Sequence, residues 1–300
     1  MIQLSINDFI STRGISGTSR TSKLIQSALK NDFELNIISK EIESKNKFKN
    51  ATKMILWDLF GSISRKNTQD SQIIIHTSNT GSSRKNLRSI LVLHDTMVLD
   101  FPEMFEKLFV YYVKFLCGFS VRRSSIVVTA SEHSKRRILE YWPSAKVKTI
   151  PWPLDCEISP NLFLKFHERR NQVLIVASLD KHKRIKLGID VIDYIRREDC
   201  QNLKLVIVGR KGNAAKEIRN YIQLKDGDGV WISLLENVSE EKLNELYKNS
   251  KVLLIPSIDE GFCLPAIESI SRGTPAIHCN HASLPELSLI HISEPTRRYA

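Results

Sequence analysis

The chain has 300 residues, 42% hydrophobic and 26% charged, the balance of a soluble globular protein with room for one large or two ordinary domains. Its formal charge of +11 is lopsided: residues 1–150 carry 23 Lys and Arg against 13 Asp and Glu, whereas residues 151–300 carry 21 against 20. It contains no apolar run of the ~18 or more residues that reads as a membrane-spanning helix, and its five scattered cysteines (Cys117, Cys156, Cys200, Cys263 and Cys279) propose neither a disulfide framework nor a zinc site, which fits a reducing cytoplasm.

The first residues read as a strand rather than a secretory leader, because they lack a basic start, a long apolar segment and a small-residue cleavage site. Short β-branched runs predict strands at Ile2–Ile6, Glu34–Ile38, Gln72–His76, Ile90–Leu93, Ile126–Thr129 and Val147–Ile150. A second series follows at Val173–Ala177, Leu203–Val208, Val230–Ser233, Val252–Ile255 and Pro275–His278. Helical periodicity falls between them, as at Lys186–Arg197, Ala214–Leu224 and Glu240–Asn249. Strands apolar on both faces and separated by helices predict parallel sheets covered on both sides. Two such series predict two Rossmann-like α/β domains. Pro151-Trp152-Pro153 and the polar stretch to Asn171 mark their boundary, because proline stops regular structure. The expected domains are 1–155 and 156–286.

Several constellations invite chemistry. Gly14-Ile15-Ser16-Gly17-Thr18-Ser19-Arg20 follows the first strand, but it is neither G-x-G-x-x-G nor a P-loop. A bare turn and a functional loop stand level there. His94-Asp95 ends a strand, where open parallel sheets hold ligands; a capping Asp beside an incidental His is the plainer alternative. Lys183, flanked by His182 and Arg184, could steady negative charge on a leaving phosphate. Asp226-Gly227-Asp228 superficially resembles a metal-binding D-x-D but reads as a turn before a strand, and no metal ligand is assigned. Lys107–Arg123 mixes Phe109, Tyr111, Tyr112, Phe115 and Phe119 with basic residues; it reads as a membrane-interface segment or a buried helix, with burial favoured. Ser131-Glu132-His133-Ser134 reads as a helix N-cap.

The densest signal is Glu260-Gly261-Phe262-Cys263-Leu264-Pro265-Ala266-Ile267-Glu268, which sets two carboxylates eight residues apart between an apolar run and a helix start. Ionised carboxylates accept several hydrogen bonds, so sugar hydroxyls are natural partners. On spacing alone, caps would be the better explanation. The neighbours tip the balance: Pro256-Ser257 precedes, Gly273-Thr274-Pro275 and Leu284-Pro285-Glu286 follow, and Val173 to Lys183 and Leu205 to Gly209 come earlier in matching order. Together these motifs resemble the retaining glycosyltransferases of family 4, with the E-x7-E motif, over roughly residues 1–286.

That resemblance implies a GT-B fold of two Rossmann-like domains, the first on the acceptor side and the second binding a nucleotide sugar. It implies retaining transfer of a hexose to a hydroxyl of a glycan or lipid-linked acceptor, without a cofactor. By prevalence in the family alone, the donor would be GDP-mannose. Glu260 would approach the donor sugar and Glu268 the ribose; His94 would lie near the transferred sugar and Lys183 at the phosphates. Gly14 and Gly17 would admit the donor to the backbone. Gly261, Phe262, Leu264, Ser178, His182 and Gly209 complete the expected substrate-binding positions. Where the family usually has an arginine, this chain has Ser178; His182 or Arg184 stands ready to compensate. Retention proceeds either by internal return, with no protein nucleophile, or by double displacement, with Glu260 as candidate. A noncatalytic nucleotide-sugar or glycan-binding module is the alternative reading. The basic first half suits an anionic partner: an anionic membrane surface or a phosphate-linked acceptor lying in it, which would mean peripheral association with the cytoplasmic membrane face; a solvated basic surface is the plainer alternative, and no nucleic-acid motif is recognised. From Leu287 to Arg297 the sequence leaves the family pattern and resembles the conceptual translation of a transposon-type sequencing adaptor, with Arg298-Tyr299-Ala300 as index. Residues 287–300 are therefore expected to be a non-native tail, and the second domain to be truncated and incomplete.

Overall fold

The structure, a computed structural model, describes residues 3–8, 17–39, 72–81, 87–152 and 163–287. Gly14 and most of its loop, Cys156 with linker residues 153–162, and 288–300 lie outside the described residues. Of the tail set aside on sequence, only Leu287 is described, and it is buried. The chain divides into two compact units, Met1–Pro153 and Leu154–Ala300.

In the first unit β1 (Gln3–Asn7) leads through α1 (Gly17–Leu29) to β2 (Glu34–Ile38). After β3 (Ile73–His76) and β4 (Arg88–Val92) come a short α2 (Met97–Asp100), α3 (Lys107–Arg123), β5 (Ile126–Thr129), α4 (Glu132–Tyr141) and β6 (Val147–Thr149). The strands form one sheet in the order β2-β1-β3-β4-β5-β6, with every ladder parallel. From the β2 edge the chain returns to the far side of β1, so the order reverses between β1 and β3, the kind of position where open parallel sheets hold ligands. Leu91, Leu93, Cys117, Val121, Val127 and Ile138 form a core between the sheet and helices α3 and α4.

Helix α3 corrects the expectation of burial. Its second half is buried through Leu116, Cys117, Ser120 and Val121, but in its first half Leu108, Tyr111 and Phe115 are 83%, 70% and 66% exposed. The core is narrow enough to cover only one half of the helix.

The second unit runs β7 (Arg170–Val176), α5 (Ile185–Glu198), β8 (Lys204–Val208), α6 (Ala215–Lys225), β9 (Ile232–Leu235), α7 (Glu240–Asn249), β10 (Ser250–Ile255), α8 (Leu264–Ser271) and β11 (Ala276–His278). The sheet order is β11-β10-β7-β8-β9, again all parallel. Ile185, Ile189 and Ile192 recur at helical spacing along α5 and meet Val173, Ile175 and Leu205 from the sheet. Strand β9 begins two residues later than predicted. The amides of Val230, Trp231 and Ile232 donate to the Asp226 carboxylate at 2.9, 2.8 and 2.6 Å, and Gly229 takes a positive φ of 67°. Burial pushes the Asp226 carboxyl up, but the three amides outweigh it and hold it below the usual carboxylate range. This is the turn read from Asp226-Gly227-Asp228.

Arg169, just before β7, was not singled out by the sequence. It is buried, and its guanidinium donates to the carbonyls of Leu164, Lys248, Ser250 and Gly273 and to the Thr274 hydroxyl. One side chain thereby ties the starts of β7 and β10 to the segment leading into β11.

Candidate active site

In the second unit the candidate groups sit beyond the carboxyl ends of β7, β8 and β10. The segment after β7 crosses over the segment after β8: Ala177 N donates to Val208 O at 3.0 Å and Leu179 N to Arg210 O at 2.9 Å. A Cβ at Gly209 would lie 2.0 Å from Ala177 O, and one at Gly212 would lie 2.5 Å from Leu179 O. Packing therefore accounts for both glycines, the first of which the sequence offered as a substrate position. The two loops also clasp each other, with Asn213 N on Asp180 Oδ1 at 2.8 Å and Lys181 N on Asn213 Oδ1 at 2.9 Å. Half-buried Ser178 lies in this crossing.

A 3₁₀ turn, Lys181–Lys183, follows, closed by Arg184 in the left-handed region at φ 48°. Its His182 carbonyl accepts Ile258 N at 3.0 Å, which joins this turn to the loop after β10. There Lys183 Nζ donates to Glu260 Oε1 at 2.7 Å, with the two side chains only 16% and 12% exposed. The sequence had assigned these two residues to phosphate and sugar; the structure brings them together as an ion pair. Ser283 Oγ donates to Glu260 O at 2.7 Å and fixes the backbone at the acid. Gly261, Phe262 and Cys263 are buried behind it, and Cys263 turns into α8 with φ 61°. Burial and the neighbouring Glu260 push the Cys263 thiol far up, so it stays protonated. Leu264 is half-buried at the helix start.

Glu268, two turns on from Glu260's loop, takes a different partner. It is buried, and Tyr247, itself fully buried on α7, donates its hydroxyl to Glu268 Oε2 at 2.9 Å. His182 is also buried, and burial, with Lys183 alongside, pushes its imidazole down to about 4. It is neutral near pH 7, which corrects the expectation that it could supply the positive charge of the missing arginine. Arg184 is exposed.

In the first unit His94 lies just past β4. Its Nε2 is 3.0 Å from Thr77 O and its backbone N donates to Asn79 Oδ1 at 2.9 Å. A carbonyl only accepts, so Nε2 carries the proton. Burial lowers the imidazole below its ordinary value, more than the Thr77 bond raises it; the ring is neutral, and Nδ1 is its acceptor atom. Trp152 lies against it with centroids 5.9 Å apart. Asp95 accepts Met97 N at 3.0 Å, the expected capping role. The Ser22 hydroxyl links Thr77 to Asp8, lying 3.0 Å from Thr77 Oγ1 and 2.5 Å from Asp8 Oδ1. This network at the β1–β3 reversal was missed, although Asp8 and Thr77 each fall within two residues of the end of a predicted strand. Gly17 opens α1 and is exposed, with open space around its missing Cβ. Ser131 caps α4 by accepting Ser134 N at 3.1 Å.

Comparison with known proteins bears on the family likeness and the fold. The family model described as glycosyl transferases group 1 matches residues 163–288. O-antigen chain mannosyltransferase B of Escherichia coli is 24% identical over 224 residues, covering 71% of this chain and 58% of that protein. O-antigen chain mannosyltransferase RfbU of Salmonella typhimurium is 29% identical over 194 residues, covering 62% and 50%. The chain thus spans about half the length of these curated relatives. Among solved structures, sucrose-phosphate synthase from Thermosynechococcus elongatus superposes with a TM-score of 0.70 at 15% identity, over 95% of this chain and 82% of the other. Anabaena Alr3699/HepE, solved in complex with UDP-glucose, gives 0.69 at 14% identity, over 96% and 83%. The fold is GT-B.

Proposed function

We propose, from the match of residues 163–288 to the family model described as glycosyl transferases group 1, a retaining hexosyltransferase that moves mannose from a nucleotide sugar to a hydroxyl of a glycan or lipid-linked acceptor. The observation that carries this reading is the Lys183–Glu260 pair at 2.7 Å, held where the loops after β7 and β10 are joined. An ammonium and a carboxylate in contact offer the two things glycosyl transfer needs: a cation for the departing diphosphate and an acceptor for sugar hydroxyls. The donor diphosphate competes with Glu260 for Lys183, so binding frees the carboxylate to take the sugar.

Glu268 binds the ribose from its place on α8. The neutral His94 accepts a sugar hydroxyl at Nδ1. As the anomeric carbon–oxygen bond breaks, the bonding electrons go to the diphosphate, where Lys183 stabilises them. The leaving phosphate oxygen takes the acceptor's proton, and the acceptor oxygen attacks the same face. No protein nucleophile, metal or cofactor is assigned to these steps. Residues 1–155 serve the acceptor and 156–286 the donor. The two mannosyltransferase relatives support mannose as the sugar. A lipid-linked acceptor places the work at the cytoplasmic membrane face, reached from a cytoplasmic protein by peripheral association.

The test is release of nucleoside diphosphate from a panel of nucleotide sugars, with and without acceptor extract and with and without chelator. GDP-mannose is expected to turn over fastest and chelator to leave the rate unchanged. Absence of both turnover and binding for every donor would overturn the reading; metal dependence would show that the phosphate site is misassigned.

A further inference from the structure

We propose that the first half of α3 seats the chain on an anionic bilayer surface. This deepens, and rests on, the peripheral association proposed above. Leu108, Tyr111 and Phe115 recur at helical spacing, so they line one stripe, and they are 83%, 70% and 66% exposed. Arg122 continues the same stripe one heptad beyond Phe115 and is exposed. Lys107 and Lys114 flank it, are exposed, and make no ion pair with a described residue.

The helix is rigidly placed beneath this stripe. Cys117 and Val121 anchor its second half in the core of the unit, and Phe109 stacks on Tyr112 at 6.1 Å beside the stripe. No helix among the described residues is long and apolar enough to cross a membrane. A fixed amphipathic helix with aromatic and aliphatic side chains between cations suits the plane of the interface: the rings enter the headgroup boundary while lysine and arginine reach phosphates. The unit carries the chain's charge excess, with 23 basic and 13 acidic side chains in residues 1–150. The acids nearest in sequence, Glu103 and Glu106, lie before the helix rather than on the stripe. Charge also argues against a second copy as occupant. A two-fold pairing of this face would bring each cation toward its counterparts, whereas phosphatidylglycerol complements it.

Flotation of the 300-residue chain with vesicles tests this, using phosphatidylcholine alone or with about one third phosphatidylglycerol. The chain is expected to float with the anionic vesicles only, and less at high salt. Leu108→Ser/Tyr111→Ser/Phe115→Ser should lower the bound fraction at least about tenfold, as should Lys107→Glu/Lys114→Glu. Both variants should keep the parent's unfolding midpoint; if the triple variant does not, the charge-reversal pair decides. Equal flotation with neutral vesicles, no flotation, or unchanged binding by the folded variants would overturn the proposal. So would a concentration-dependent dimer that the triple variant abolishes. Nucleoside diphosphate affinity, measured without vesicles, separates the two readings: its loss in the parent sinks the glycosyltransferase reading, whereas its retention without flotation sinks only this surface.

Discussion

The two units share a parallel-sheet plan, yet they hold their candidate groups by opposite means. In the second, Lys183 and Glu260 meet as charges, 2.7 Å apart at a junction of two loops. In the first, His94 is uncharged and tied by the Thr77 carbonyl and the Asn79 side chain. An ion pair is a competition that an anionic ligand can enter, because phosphate offers the ammonium another partner. A neutral ring held by backbone offers one acceptor atom in one direction and no charge to compete for. Under the proposed function, the difference suits a donor side that must release a charged product and an acceptor side that only positions hydroxyls.

The largest effect expected is structural and should break the units apart. Arg169→Met removes donors from four carbonyls and one hydroxyl buried around it. The second unit should lose about 3–5 kcal/mol, seen as an earlier urea transition, while the first unit's transition stays in place. A single unshifted transition would mean the guanidinium is dispensable. Acid should erase the contrast instead. Burial holds His76 in the first unit and His182 in the second at about 4, from an ordinary 6.5. Each is neutral when folded, so its contribution is whole above pH 6.5, falls as the unfolded chain takes up protons below that, and is gone below about 4. Each unit should lose on the order of 3 kcal/mol across that window. His76→Gln and His182→Gln should flatten the pH dependence of their own unit only.

How much of this was legible in the sequence differs between the units for a physical reason. The eleven strands that the described residues form in the two sheets were all visible as short apolar or β-branched runs, because strands covered on both faces are largely apolar. Boundaries slipped where a side chain took over the backbone's hydrogen bonds, as Asp226 does before β9. The two acids Glu260 and Glu268 were visible because they lie, with Pro265, in one short stretch. The pairing of Lys183 with Glu260, 77 positions apart, was not: only the parallel sheet brings those loops together. Likewise Thr77 and Asn79 reach His94 from the segment after β3 and Trp152 from the far end of the unit, and nothing in their local sequence announces it. Helix α3 was ambiguous because aromatic periodicity does not say which half of a helix the core will cover.

Turnover should sharpen the distinction between the paired charges. Glu260→Gln is expected to lower kcat about 100-fold, some 2.7 kcal/mol, while nucleoside diphosphate binds no more weakly. The neutral amide no longer holds Lys183, so the phosphate meets less competition. Lys183→Ala should lower both turnover and product affinity, since its partner is present in donor and product alike. His94→Gln, on the other unit, should lower turnover without touching product affinity. A Lys183→Ala variant with normal product affinity would place the phosphate elsewhere.

The smallest effect concerns Glu268, where a binding role and a packing role make different predictions. Its carboxylate is buried and accepts the Tyr247 hydroxyl at 2.9 Å. Were that bond its whole purpose, Glu268→Ala would destabilise the second unit and leave nucleotide affinity alone, and Tyr247→Phe would do the same more mildly. If instead Tyr247 holds one oxygen so that the carboxylate is oriented toward a ribose, affinity must fall in both variants. Glu268→Ala should then weaken nucleoside diphosphate binding by about 1.5–3 kcal/mol, the range for a hydrogen bond to a charged group. Tyr247→Phe should cost about 1 kcal/mol, because the acid survives but is less well held. Calorimetry with a nucleoside diphosphate and its 2′,3′-dideoxy analogue separates the cases. The parent should prefer the ribose form, and the Glu268→Ala variant should bind the two alike. A preference that persists in that variant would remove Glu268 from the ribose and leave it a packing residue of α8.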